Sequence, residues 1–126
     1  MTDDRSSEKD IDLSTLYEIA DGSDEFIVES IGMFLDQTPE LLQDVQNAIT
    51  AKDWVVTAAA AHKIKSNLGF FGMFNSQALI QEVELLGKSG SPDVAVIIEK
   101  FNQVKGIMAD NLVALAQIKA ETEAKI

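Results

Sequence analysis

The chain of 126 residues contains no cysteine, and it has only two prolines, one histidine, one tryptophan and one tyrosine. Without cysteine there is no disulfide, thiol nucleophile or thiolate metal site, which suits a reducing compartment. The scarcity of proline, together with 46% hydrophobic residues, favours a helical domain with one core. No apolar run is long enough to span a membrane, and the polar, acidic start does not resemble a signal peptide. We therefore expect a cytoplasmic protein.

Basic charge is also scarce, because 10 Lys and Arg face 21 Asp and Glu, for a net charge of −11. This balance disfavours nucleic acid and anionic membranes as partners. The sequence has no dinucleotide fingerprint, phosphate-binding loop, paired-histidine zinc motif or calcium loop. We therefore expect no metal site and no cofactor of its own, and a hydrolase or metal enzyme is disfavoured.

The spacing of apolar residues predicts helices throughout and indicates no strand. Residues 1–10 are expected to be a disordered lead-in, and residues 11–126 one domain. A short helix is predicted to end at Gly22, followed by a stretch to about Thr50 in which Thr38-Pro39 is either a new helix start or a kink. Further helices are predicted from Trp54, from about 75 to 86 and after Ser91-Pro92, with Gly87 to Gly90 ending the second of these. The predicted fold is all-α, an up-and-down four-helix bundle with a short additional N-terminal helix, and we expect a monomer.

His62 is the one side chain that combines reactive chemistry with an open position on its helix. Its neighbours three and four residues away are Ala58, Ala59, Lys65 and Ser66, and Gly69 lies two turns on. Three of those four neighbours are small. His62 also lies well round the helix from the predicted core positions Trp54, Ala58, Ala61, Ile64 and Leu68. We expect an exposed imidazole that a large partner can approach.

Negative charge is absent around this histidine. Trp54 to Gln81 contains no Asp or Glu, and its charged residues are Lys63 and Lys65. Carboxylates would repel a phosphoryl group, whereas a lysine attracts it, so the pattern favours anion handling. A lone helical histidine is nevertheless most often an ordinary surface residue, and an alanine run is often a helix contact. The residues alone leave both interpretations open.

The segment AHKIKSNLGFFG, residues 61–72, resembles the signature of histidine-containing phosphotransfer (HPt) domains, and the similarity covers roughly residues 11–90. In that family a lysine follows the phosphorylated histidine by three positions, a helix-closing glycine by ten, and an acid or amide by twenty-two. Here these positions hold Lys65, Gly72 and Glu84. Ser66 stands where the family usually has glycine, and we expect this difference to affect the rate of transfer.

The resemblance implies a phosphorelay carrier, not an enzyme, that takes a phosphoryl group on His62 from a phospho-aspartyl receiver domain and passes it to another. Lys65 would stabilise the phosphoryl charge and Glu84 would orient the imidazole, with Ser66, Gly69 and Gly72 close by. Mg²⁺ is expected in the partner receiver, and a sensor hybrid histidine kinase is expected upstream. The candidate partner-binding residues are Thr15, Ile19, Phe26, Ala58, Ala59, Lys63 and Asn67. The alternative is an acidic helical interaction module or inhibitor without phosphotransfer.

Overall fold

The computed structural model describes residues 10–126, so the predicted disorder of residues 1–9 falls outside the described part of the chain. Five helices and no strand occupy residues 10–126. Their bounds are α1 Ser14–Ala20, α2 Asp24–Thr50, α3 Trp54–Phe70, α4 Phe74–Lys88 and α5 Val94–Glu123. The all-helical prediction is confirmed. None of these helices is both long and apolar enough to cross a membrane.

Three of the helices begin at a side chain that satisfies a free backbone N–H of the first turn. Ser23 accepts a hydrogen bond from the amide of Phe26 at the start of α2, and Asp53 accepts one from Val56 at the start of α3. Asp93 caps α5 in the same way. Such caps fix where a helix starts. The sequence predicted the start of the last helix at Ser91-Pro92, whereas the residue that caps it is Asp93.

Pro39 lies inside α2, which continues unbroken from Asp24 to Thr50. The sequence left a new start or a kink as the alternatives at Thr38-Pro39, and the structure contains no new start. Buried residues lie on both sides of the proline, with Phe34 and Thr38 before it and Val45 after it. Burial of residues on both sides of Pro39 compensates for the hydrogen bond that proline removes.

Helices α2 to α5 form a closed ring of contacts around the core. Helix α2 packs against α3 and α5, and α4 packs against the same two helices. Helix α1 packs on α2. The core is formed by aliphatic residues, Met73, Met108 and three phenylalanines: Phe34, Phe71 and Phe101. Trp54, which the sequence placed in the core, is only partly buried at its edge, and so are Leu79 and Leu86 of α4.

Asp10 anchors the segment that precedes α1. Its carboxylate accepts hydrogen bonds from the backbone amides of Asn75 and Ser76 at 2.8 and 3.0 Å, and from the side chains of Ser76 and Asn111. The sequence assigned Asp10 to the disordered lead-in, whereas the structure buries it at the start of α4. The contact joins α4 and α5 to the N-terminal segment.

Gly72 closes α3 in the predicted way. It has a φ of +67°, and the amide of Met73 bonds back to the carbonyl of Leu68, which is the Schellman pattern. A β-carbon here would also lie 2.1 Å from the carbonyl oxygen of Asp12. Glycine is therefore required both by the backbone conformation and by the close approach of the N-terminal segment.

Candidate functional site

Close contact between α3 and α4 positions the site. Gly87 lies inside α4, not beyond its end as the sequence suggested, and it packs directly on α3. A β-carbon on Gly87 would lie 3.0 Å from the carbonyl oxygen of Trp54 and 3.2 Å from Cβ of Ala58. One turn later on α3 and one turn earlier on α4, the same approach brings His62 against Glu84.

The two helices stay close beyond the histidine. A β-carbon on Gly69 would lie 2.6 Å from Nε2 of Gln77, and that amide donates to the backbone oxygen of Lys65. Small residues at both ends of the contact thus fix the register in which α4 faces the histidine.

His62 is exposed at its ring and anchored at one nitrogen. Its side chain is 66% exposed, and Nδ1 lies 3.0 Å from Oε2 of Glu84. An ionised carboxylate only accepts hydrogen bonds, so Nδ1 carries a proton, and in the neutral form of the ring Nε2 keeps its lone pair. The ring therefore offers a fixed, solvent-facing nucleophile.

Glu84 is buried, with a side chain only 3% exposed, yet it is surrounded by donors. Lys65 donates to Oε1 at 2.8 Å, and Lys88 donates to Oε2 at 3.2 Å. Burial alone would raise the pKa of Glu84, but the hydrogen bonds from Lys65, Lys88 and His62 outweigh it and lower the pKa from 4.5 to about 2. The carboxylate is therefore ionised at neutral pH, as the orientation of the ring requires.

The sequence model of the Hpt domain family matches residues 29–123. The chain belongs to the Hpt domain family. This Hpt domain is a phosphorelay carrier of two-component signalling. Hpt domains are phosphocarriers and not enzymes. In two-component systems they interact with receiver domains and histidine kinases.

A solved structure supports the fold. The crystal structure of the HPT domain from a sensor hybrid histidine kinase of Shewanella is similar to this Hpt domain with a TM-score of 0.73. The alignment covers 89% of this chain and 95% of that one, at 20% sequence identity. No curated protein matches the chain.

The structure brings the main candidate residues of this Hpt domain together. His62, Lys65 and Glu84 form one hydrogen-bonded cluster, with Ser66 exposed beside it. Gly69 and Gly72 shape the end of α3, where Gly69 faces the side chain of Gln77 and Gly72 faces Asp12. Among residues 10–126 there is no group of three His, Asp or Glu side chains arranged to hold a metal.

The candidate partner-binding residues divide by exposure. Ala58 is buried to 7% exposure against Gly87, so it offers a partner almost no surface, and its role is to let α4 approach. Asn67 is half-buried. The remaining candidates are exposed on α1, α2 and α3: Thr15, Ile19, Phe26, Ala59 and Lys63.

Sequence reasoning missed Lys88 at the site and Met33 beside the candidate residue Asn67. Lys88 follows Glu84 by four residues on α4, which is the spacing of a helical ion pair, and this signal could have identified it. Met33 is exposed on α2 and lines a shallow depression with Asn67. Nothing in the local pattern marks Met33, because its exposure depends on how α2 packs.

Proposed function

We propose that His62 is the residue that carries the phosphoryl group, and that Nε2 is the atom that accepts it. The observation that carries this proposal is the position of the ring: Nδ1 is bonded to buried Glu84, and the opposite edge is open to solvent. A nucleophile held in one tautomer and one orientation needs no rearrangement before it attacks.

In the proposed reaction the phosphoryl group comes from an aspartyl phosphate of a receiver domain. The Nε2–P bond forms as the P–O bond breaks, and the aspartyl carboxylate leaves with the bonding electrons. The product ring keeps its Nδ1–H, is formally cationic, and is stabilised by the hydrogen bond to Glu84. The reverse sequence returns the group to a second receiver.

We expect the receiver to provide Mg²⁺ and most of the catalysis, since charge neutralisation dominates phosphoryl transfer. This chain would supply the nucleophile and the surface that docks the receiver. That surface would centre on the exposed small residues of α3 and extend to α1 and the start of α2. An upstream sensor hybrid histidine kinase, a monomeric state and a cytoplasmic location complete the proposal.

The bundle architecture belongs to the same proposal. We interpret α2 to α5 as an up-and-down four-helix bundle, with α1 as the additional N-terminal helix. The ring of contacts in which α2 and α4 each touch both α3 and α5 supports this interpretation. In such a bundle α3 keeps one face free for a partner.

The test is incubation with a receiver domain carrying radiolabelled phosphate on its aspartate. We expect label to move to this chain in an acid-labile, alkali-stable form, and His62→Gln to abolish it while circular dichroism stays unchanged. A receiver lacking its acceptor aspartate is the control. Stable binding of the two proteins without label transfer would favour the interaction module instead.

A further inference from the structure

The cluster around Glu84 contains one more positive charge than negative charge. With the imidazole neutral, a single carboxylate faces the ammonium groups of both Lys65 and Lys88. Glu82, the neighbouring acid on α4, is bonded to Lys100 at 2.8 Å. The surplus is notable in a chain of net charge −11.

The two lysines differ in how firmly they are held. Lys65 is 23% exposed and bonds to Oε1 at 2.8 Å, whereas Lys88 is 61% exposed and bonds to Oε2 at 3.2 Å. Exposed ion pairs are weak, and a lysine stem is flexible, so Lys88 can be released at little cost. A partly buried ammonium on a buried carboxylate is costlier to detach, so Lys65 stays.

Lys88 is also the lysine that shares an acceptor atom with the histidine. Its ammonium and Nδ1 of His62 both bond to Oε2 of Glu84, so they lie within two hydrogen-bond lengths of each other. The His62 and Lys88 side chains line one depression of about 600 Å³ between α3 and α4. Its lining includes the small residues Ala58, Ala59, Gly87 and Gly90, which leave room for the lysine to move.

We propose that Lys88 is the cation that contacts the phosphoryl group on His62. To make this contact Lys88 gives up its ion pair with Glu84, while Lys65 stays bonded to Glu84. No covalent bond changes at Lys88, because its ammonium only exchanges one anionic acceptor, the carboxylate, for another, the phosphoryl oxygens. Glu84 keeps Lys65 and the Nδ1–H, so it is not left unpaired. This inference rests on the proposed function of His62.

The experiment phosphorylates the full chain chemically with phosphoramidate, so that no receiver is needed, and compares Lys88→Gln, Lys65→Gln and the wild type. Phosphorus NMR titration gives the pKa of the bound phosphoryl group, and loss of label gives the lifetime of the phosphohistidine. Lys105→Gln makes the same charge change on α5, where the lysine bonds to Gln46, and serves as the control.

We expect Lys88→Gln to raise the phosphoryl pKa by roughly half a unit to one unit, because a contacting cation favours the dianion. In Lys88→Gln the lifetime of the phosphohistidine should also fall by roughly three- to tenfold. Lys65→Gln should change the phosphoryl pKa less than Lys88→Gln does, and Lys105→Gln should not change it. Wild-type values in Lys88→Gln, or a larger pKa change in Lys65→Gln, would overturn the assignment. Neither result would touch the proposed function, which fails only if the receiver cannot label His62.

Discussion

Replacing Glu84 with glutamine tests the electrostatic design of the site in a single variant. Glutamine keeps the shape of the side chain and imitates the protonated carboxyl, so the variant removes the charge with little change in packing. The pKa of Glu84 is lowered from 4.5 to about 2 in the folded chain. A shift of that size corresponds to about 3 kcal/mol of folding stability at neutral pH.

The same shift predicts how this stabilisation depends on pH. Because the folded-state pKa is the lower one, the contribution is complete above about pH 4.5 and is lost as pH falls through about 2. The difference in unfolding free energy between the wild type and Glu84→Gln should therefore shrink from about 3 kcal/mol near pH 7 to roughly half of that near pH 3.

Urea denaturation followed by circular dichroism at several pH values measures this difference. Glu82→Gln is the matched control, since it makes the same substitution two residues away in an exposed pair with Lys100, and it should cost far less. A difference for Glu84→Gln that is small at neutral pH, or that does not change between pH 7 and 3, would refute the reasoning about the buried carboxylate.

Two further substitutions test the structural roles of His62 and Gly72. His62→Ala should change the unfolding free energy by no more than about 1 kcal/mol, because the ring is largely exposed; a loss above about 2 kcal/mol would mean that the imidazole is structural. Gly72→Ala should cost more than about 2 kcal/mol, from its positive φ and its collision with Asp12. Gly22→Ala shares the positive φ without a neighbour within 4 Å, so equal losses at both glycines would contradict the close-approach argument.

Much of the site could be anticipated because its signals are local or periodic. The small residues around His62 follow from helical spacing, and they predict the exposed ring that the structure contains. The position of Glu84 came from the spacing of the family's motif, and its hydrogen bond to Nδ1 is present. The chemical roles of His62 and Glu84 remain predictions, and so does the phosphoryl contact that the sequence assigned to Lys65 and that we propose for Lys88.

The features that escaped prediction depend on contacts distant in sequence. Asp10 bonds to residues 65 and 66 positions away, and no periodic pattern encodes that. Pro39 reads locally as a break, but packing along α2 carries the helix through it. Gly87 was predicted to end α4, but it lies inside α4 at the contact with α3. Glycine is typical both of left-handed helix ends and of sites where two backbones approach closely, and the sequence does not distinguish the two. That misreading also hid Lys88.

The most direct measurement is heteronuclear NMR of the chain with nitrogen-15 in its single histidine, after phosphorylation by a receiver domain. Scalar coupling between phosphorus and a ring nitrogen identifies the atom that holds the phosphoryl group. The geometry predicts coupling to Nε2, with Nδ1 still protonated and bonded to Glu84. Coupling to Nδ1, or label found on another residue, would contradict the assignment of His62 Nε2 as the acceptor.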